Sequence, residues 1–318
     1  MRYLTSDNDS KMMYYYKPYA GICAVKLNGG AKREDIVCPE GTERMFVCCD
    51  NSSVTHIISA AEDNTGFTYM QINNGVRKSC RLGGINGEIN IKRVMLGANK
   101  IGQSIFYSAA YKGEYILVHC MLGDNAMPET IDKIKNEHFF LHDMKVYYTN
   151  ENGILGSRDF SDGKPGQLVY NSEGEMPYAR KIGNECLIAY IHDGGVYVNG
   201  RRMADDREAE QAVICTEKGR NAVVWKSGIN VRAMPCTHGN KVLTAASGGN
   251  PLSFILSNGI DCRRYYGSYT NGEIRFFYSD NPFHERNNED KDEKIKRLSN
   301  EVDELKSIIR KMKSGGEQ

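Results

Sequence analysis

The feature of this 318-residue sequence that most constrains its fold is a hairpin pattern that recurs along almost the whole chain. Seven segments share one plan: an apolar or aromatic run, a short polar turn that contains glycine, and a second apolar run. Glycine suits such turns because they need a positive φ, which a Cβ atom penalises. The turn glycines follow one another at intervals of 31 to 47 residues and are Gly21, Gly66, Gly113, Gly153, Gly195, Gly228 and Gly259.

A further short apolar run and another turn precede several of these hairpins, as in FVCCDNSS before Thr55 and VLTAASGGN before Pro251. Units of three or four antiparallel strands that recur about every 40 residues are typical of propeller blades. The sequence therefore predicts an all-β fold over residues 1–284, a single β-propeller of about seven blades, with six to eight as the range. A two-sheet sandwich is the alternative, although a sandwich seldom needs more than about 20 strands.

The ring of a propeller must also close. The apolar run EIRFFYSD at 273–280 follows the seventh hairpin and has no complete unit of its own. We expect this strand to pair with the aromatic run KMMYYYK at 11–17, because that pairing would remove two exposed sheet edges.

Two stretches interrupt the β pattern. Residues 124–140 are predicted to contain a short helix, because Pro128 suits a first helical turn and Ile131 and Ile134 are spaced for one helical face. Residues 200–212 are dense in charge and are predicted to form a solvated loop or a frayed helix.

Residues 285–318 form a separate region, predicted to be a charged linker followed by a short coiled-coil helix. Nine basic and nine acidic residues would keep its other faces solvated. β-branched residues at the first heptad position with leucine at the fourth favour a parallel dimer, in which Glu301 of one helix can pair with Lys306 of another. Ile308 widens the apolar face and suits a trimer, and a helix packed back on its own propeller is the alternative. The apolar seam, for oligomerisation or docking, consists of Ile295, Leu298, Val302, Leu305, Ile309 and Met312.

Charge and hydropathy exclude several classes of partner. The 41 Lys and Arg residues are balanced by 40 Asp and Glu residues, which leaves no basic excess for a nucleic-acid backbone. No apolar run approaches the roughly 20 residues that span a bilayer, so we expect no membrane insertion. No export signal opens the chain, and we therefore expect cytoplasmic synthesis and reduced thiols at the ten cysteines.

No residue carries a catalytic or metal-binding motif, and the sequence predicts no cofactor. The repeated motifs of known propeller families are missing. WD-type blades, for example, each need a Trp-Asp pair, and the only tryptophan here is Trp225. Carboxylates in equivalent hairpin turns would fall on one face of a propeller, although turns favour these residue types in any case. These carboxylates are Asp63, Glu114, Glu151 and Asp193. The 19 tyrosines often stand in pairs, and paired side chains alternate on a strand, so we expect half to be buried and half to point outward.

A propeller joined to a short coiled coil is similar in architecture to accessory baseplate or tail-fibre proteins of bacteriophages and of phage-derived particles such as tailocins. The resemblance implies a non-enzymatic binding or structural part of a virion or phage-like particle. Its partners would be proteins, or a second copy of the chain, at the C-terminal helix and a cell-surface glycan or protein at a propeller face. A glycan-acting enzyme with its site at the propeller mouth and an intracellular scaffold are the alternatives.

The tail generates the first prediction. Replacing Leu298 and Leu305 with Asp would place charges in the seam, at a cost of several kcal/mol for each buried unpaired ion. Light scattering should then show a multimeric full-length protein and a monomeric double mutant, with residues 1–286 monomeric and folded. A full-length monomer would contradict self-assembly, and unfolding of 1–286 would indicate that the helix packs on its own propeller.

Overall fold

The computed structural model describes residues 2–6, 11–26, 34–49, 54–82, 89–98, 102–122, 127–217, 220–228, 230–236, 242–246, 264–270, 273–279 and 299. The chain divides into two compact units, Met1–Ser279 and Asp280–Gln318. Every regular element described in the first unit is a β-strand. Of the second unit the structure describes Ser299, which is helical and exposed, so the six seam residues lie outside the described part. Among the residues described, no helix has the length and apolar character needed to cross a membrane.

The described strands form six antiparallel sheets, and within each sheet neighbours in sequence are neighbours in space. Sheet I contains β1 (Arg2–Ser6), β2 (Lys11–Lys17), β3 (Gly21–Lys26) and β4 (Glu34–Cys38). Sheet II contains β5 (Met45–Cys49), β6 (Thr55–Ala60), β7 (Phe67–Asn73) and β8 (Val76–Leu82). Sheet III contains β9 (Asn90–Ala98), β10 (Gln103–Tyr111), β11 (Glu114–Met121), β12 (Glu129–His142), β13 (Lys145–Asn150), β14 (Ile154–Asp159) and β15 (Val169–Glu173).

The remaining three sheets follow in chain order. Sheet IV contains β16 (Glu175–Ile182), β17 (Glu185–His192), β18 (Gly195–Val198) and β19 (Arg201–Asp205). Sheet V contains β20 (Ala209–Glu217), β21 (Arg220–Ser227), β22 (Asn230–Pro235) and β23 (Leu243–Ala246). Sheet VI contains β24 (Arg264–Thr270) and β25 (Glu273–Ser279).

Sheet III consists of two four-stranded halves that share the long strand β12. The first part of β12 pairs with β11 and its last part pairs with β13, and the register breaks between Ile134 and Phe139. Buried side chains of both halves, among them Phe106 and Phe139, form one core cluster, so the sheet folds over on itself. The prediction of a helix within 124–140 is therefore wrong. Pairing at both edges of β12 and burial of alternate residues at its end override the local helix signals.

Successive sheets are arranged side by side. The first strands of sheets I and II, β1 and β5, contact each other, and β5 contacts β9, the first strand of sheet III. Strand β12, which begins the second half of sheet III, contacts β16 of sheet IV, and β16 contacts β20 of sheet V. Strand β9 also contacts β12, and each half of sheet III thus takes one place in the series. This order, with one first strand beside the next, is the geometry expected of propeller blades around an axis.

Most sheets are buried on both faces. The adjacent residues Ile57 and Ile58 of β6 show this: Ile57 belongs to the core between sheets I and II, and Ile58 belongs to the core between sheets II and III. The prediction that half of the paired tyrosines point outward is consequently wrong. Four of them are at most 4% exposed: Tyr14, Tyr15, Tyr147 and Tyr148.

Sheets I and V also bury the face that points away from their described neighbours. In sheet I, Met13 and Cys23 are fully buried although they lie opposite the side that packs on sheet II. In sheet V, Val224 and Ala233 are fully buried on the side away from sheet IV. Burial of both faces is typical of blades within a propeller.

Two further sequence expectations are corrected. Strand β2 lies between β1 and β3, whereas β25 pairs with β24, so the segment 11–17 does not pair with 273–280. The additional strand β1 occupies the edge that this pairing would have used. The segment 200–212 contains all of β19 and the start of β20, because Met203, Ala204 and Ala212 enter the core between sheets IV and V.

The burial of both faces of sheet I can be tested with one methionine. Met13→Ala should lower the free energy of unfolding by about 2–5 kcal/mol, because it leaves a cavity where the wild-type side chain is 0% exposed. The matched control Met127→Ala, at a position that is 82% exposed, should change stability by no more than about 0.5 kcal/mol. Urea unfolding followed by circular dichroism measures both, and equal midpoints would contradict a packed outer face.

Candidate functional site

Six of the seven predicted turn glycines lie in the described hairpins. Gly66 precedes β7, and Asn64 is the residue with positive φ in its turn. Gly195 opens β18, and the left-handed residues of that hairpin are Asp193 and Gly194. Gly259 lies outside the described residues. The glycines that have a positive φ themselves, between 54° and 85°, are Gly21, Gly113, Gly153 and Gly228.

The turn carboxylates make local contacts within their own sheets. Asp63 accepts hydrogen bonds from the backbone nitrogen of Thr65 at 3.0 Å and from its hydroxyl at 2.7 Å, and these bonds hold the pKa of Asp63 below its usual value. Glu114 pairs with Lys133 at 2.8 Å, and Glu151 adds to the negative charge near the same ammonium group. These contacts stabilise turns and strand edges and do not form a shared site.

Asp206 is the centre of a buried polar network in the connection between sheets IV and V. Its carboxylate accepts hydrogen bonds from Trp225 Nε1 at 2.7 Å, from Ser227 Oγ at 3.0 Å and from Arg232 Nη1 at 3.1 Å. The Asp206 side chain is 4% exposed and the Trp225 side chain is fully buried. Because the donors occupy the carboxylate, we interpret this network as a structural clamp on sheet V.

A similar network lies within sheet III. The Tyr148 hydroxyl donates to Asp132 Oδ2 at 2.8 Å and accepts from Arg158 Nε at 2.7 Å. Burial raises the pKa of Tyr148, so its proton stays in place at neutral pH. This network also uses its donors and acceptors internally. Within the described residues, no group of His, Cys, Asp and Glu side chains could hold a metal ion.

The junction between sheets III and IV differs from the others. Apolar core clusters join sheets I and II, sheets II and III, the two halves of sheet III, and sheets IV and V. Between sheets III and IV, the rings of Phe140 and Tyr178 pack with centroids 4.4 Å apart. Polar contacts lie beside this pair: the Tyr147 hydroxyl contacts Cys186 Sγ at 3.2 Å, and the Thr149 hydroxyl donates to the carbonyl of Gly174 at 2.6 Å.

Further polar contacts extend along this junction. Asn136 Nδ2 donates to Glu175 at 3.0 Å, and Lys135 pairs with the same carboxylate at 2.6 Å. The backbone N–H of Lys181 donates to His142 Nε2 at 2.9 Å. A typical hydrogen bond contributes about 1 kcal/mol net. The III–IV junction is thus held by separate, individually modest contacts.

At one end of the junction lies an aromatic and charged surface that we call the Tyr197 cluster, made of Tyr190, His192, Tyr197, Arg202 and Glu173. The rings of Tyr190 and Tyr197 stack with centroids 5.3 Å apart, and Arg202 Cζ lies 5.8 Å from the centroid of Tyr197. The strand register produces this row, because Tyr190 lies opposite Tyr197 and Tyr197 lies opposite Arg202 on three adjacent strands. Such rows of cross-strand neighbours on one face stabilise a sheet.

Exposure differs across the Tyr197 cluster. Tyr190 is 3% exposed, and a Cβ atom at Gly174 would collide with its ring. Tyr197 is partly exposed, whereas the side chains of Arg202 and Glu173 are 45% and 71% exposed. The cluster therefore has a fixed, buried ring behind an accessible ring whose rim carries charged groups.

The hydrogen-bonding groups of the rim come from three strands. Arg202 pairs with Asp205 at 2.6 Å and donates to the backbone carbonyl of Asp193 at 3.3 Å. His192 lies with its Nε2 atom 3.9 Å from a Glu173 carboxylate oxygen, across the III–IV junction. Sequence reasoning placed Asp193 in a turn but missed the cluster, since its members form no motif along the chain.

Comparison with known proteins assigns the fold. No protein-family model matches the chain, and no curated protein matches it by sequence. Hsv2 from Kluyveromyces lactis is similar with a TM-score of 0.55 and 10% identity, over 88% of this chain and 97% of that one. The AfRom2 CNH domain gives a TM-score of 0.52 at 8% identity, over 87% of this chain and 93% of that one. Both neighbours are β-propellers, and the predicted propeller fold is confirmed.

The clamp generates a prediction. Asp206→Asn keeps the shape of the side chain but removes the charge that Arg232 contacts. We expect the free energy of unfolding to fall by about 1.5–3 kcal/mol, the range for hydrogen bonds to charged groups. The control Asp205→Asn changes a neighbouring carboxylate that is 83% exposed and should cost at most about 1 kcal/mol. Urea unfolding at neutral pH measures both, and equal losses would contradict the clamp.

Proposed function

We propose that this chain is a non-enzymatic binding module, a seven-bladed propeller that recognises a carbohydrate at the Tyr197 cluster. The blade number follows from counting each half of sheet III as one blade and each other sheet as one. The burial of the outer faces of sheets I and V supports a closed ring of this size. The observation that carries the function is the Tyr190–Tyr197–Arg202 row, which is packed from behind and accessible in front.

The chemistry of the row suits a sugar. A partly exposed tyrosine offers a flat apolar face for the C–H groups of a pyranose ring, and its hydroxyl adds a polar contact. Arg202, Asp205 and Glu173 offer donors and acceptors around that face for sugar hydroxyls. The stack on buried Tyr190 holds the platform in place before the ligand arrives, so little side-chain entropy is lost on binding.

Binding is favoured over hydrolysis of the same ligand by the ionisation of the carboxyl groups. A glycosidase needs one carboxylic acid with a raised pKa to protonate the leaving oxygen. Among the described residues, the carboxyl groups with shifted pKa values are Glu34, Asp63 and Asp159. All three pKa values are lowered, chiefly by hydrogen bonds from Tyr15, Thr65 and Ser161 respectively. These three would be ionised at neutral pH and would not act as general acids.

The proposed role of the C-terminal helix is to link several copies of the propeller. Single sugar sites are weak, and linking several copies raises the overall affinity without any new contact. The seam from Ile295 to Met312 would supply that linkage, or would dock the propeller on a different protein. A virion or phage-like particle, with the propeller facing a cell-surface glycan, is the setting that the architectural resemblance supports.

The experiment is a glycan array followed by calorimetry with the best oligosaccharide. Tyr197→Ala and Arg202→Gln should each weaken binding by about tenfold or more, equivalent to roughly 1.4 kcal/mol. The matched control is Arg201→Gln, which removes the same charge from the neighbouring exposed position on β19 and should bind like wild type. Absence of glycan binding, or equal affinity in all three variants, would contradict the proposal. Product formation from the oligosaccharide would instead favour the enzyme.

A further inference from the structure

His142 connects the two sheets of the III–IV junction through a bond that depends on its protonation. It ends β12, and its Nε2 atom accepts a hydrogen bond from the backbone N–H of Lys181 on β16 at 2.9 Å. An imidazole nitrogen accepts a hydrogen bond only when it carries no proton. The contact therefore requires the tautomer with the proton on Nδ1, and a second proton on Nε2 would abolish it.

A competing partner stands beside the ring. Asp143 Oδ2 lies 3.8 Å from the same Nε2 atom, too far for a hydrogen bond but near enough to attract a protonated ring. Two cationic groups, Arg180 and Lys181 on β16, would repel the protonated ring. Lys145 lies opposite His142 on β13, and its charge is balanced by Asp159 on the next strand. Protonation thus favours movement of the ring away from β16 and toward Asp143.

We propose that His142 is an acid-operated latch: neutral, it ties sheet III to sheet IV, and protonated, it releases Lys181 and loosens the junction. The described hydrogen bonds and ion pairs between these two sheets are few, so the loss of the His142 bond removes a sizeable share of them. The inference concerns the closure of the junction and does not depend on which ligand the Tyr197 cluster takes.

The direction of the pKa shift at His142 determines the pH range in which the junction should open. Burial lowers the pKa of His142, Asp143 opposes this, and Arg180 and Lys181 add to it. A histidine whose pKa is lowered in the closed form stabilises that form fully above its ordinary value of about 6.5 and progressively less as the pH falls. If the open form titrates at that ordinary value, opening should be about tenfold more favourable at pH 5.5 than at pH 7.5.

Cys186 gives a local readout of opening. Its thiol is partly buried in the junction beside the Tyr147 hydroxyl, at 3.2 Å, and lies on the strand that follows β16. Iodoacetamide labelling of the full-length protein, resolved by peptide mass spectrometry, measures its rate. Division by the rate at exposed Cys80 corrects for the lower reactivity of every thiol in acid. Fully buried Cys23 reports global unfolding, so that a rise at Cys186 alone indicates opening of the junction.

Three variants test the latch. In wild type the Cys186/Cys80 ratio should rise by about tenfold between pH 7.5 and pH 5.5. His142→Gln, whose amide oxygen accepts from Lys181 at either pH, should give a low and constant ratio. Asp143→Asn should require more acid for the same rise, and the control Asp162→Asn, at an exposed carboxylate between β14 and β15, should behave like wild type. A constant ratio in wild type, or an unchanged rise in His142→Gln, would overturn the proposal.

Discussion

Sheets I to V bury apolar side chains on both faces, and this constraint determines which residues their strands can contain. A strand with one solvent face can alternate apolar and polar residues, whereas these strands need apolar side chains at consecutive positions. Ile57 and Ile58 of β6 fill two different cores, and Val223 and Val224 of β21 are both fully buried. Buried polar groups such as Asp206 and Tyr148 are accommodated among these apolar strands by hydrogen bonds to other protein groups.

The repeat could be predicted because its signals are local. A glycine or a short polar turn between two apolar runs sets a hairpin within about 20 residues, and seven hairpins of this kind leave few other folds. The failures have non-local causes. The segment 124–140 carries helix signals at Pro128, Ile131 and Ile134, yet it pairs with two strands and becomes β12. The charged segment 200–212 includes Asp206, whose partners Trp225 and Arg232 are 19 and 26 residues away.

Only part of the Tyr197 cluster could have been predicted by counting strand register along the sequence. A two-residue turn at Asp193–Gly194 places His192 opposite Gly195, and the same count places Tyr190 opposite Tyr197. The next step needs the bulge between Val196 and Tyr197, which brings Arg202 rather than its neighbour beside the ring. Bulges of this kind are not evident in a single sequence, so the guanidinium could not be assigned to the row in advance.

The III–IV junction contains both the Tyr197 cluster and the His142 contact. Strand β17 passes through it, with Cys186 near the His142 contact and Tyr190 and His192 at the Tyr197 cluster. Regions that bind or move are drawn from the less stable parts of a fold, because a tightly packed apolar core allows few alternative arrangements. Apolar clusters between the other described sheets stabilise the fold, and both proposals, carbohydrate binding at the Tyr197 cluster and opening at His142, concern the III–IV junction.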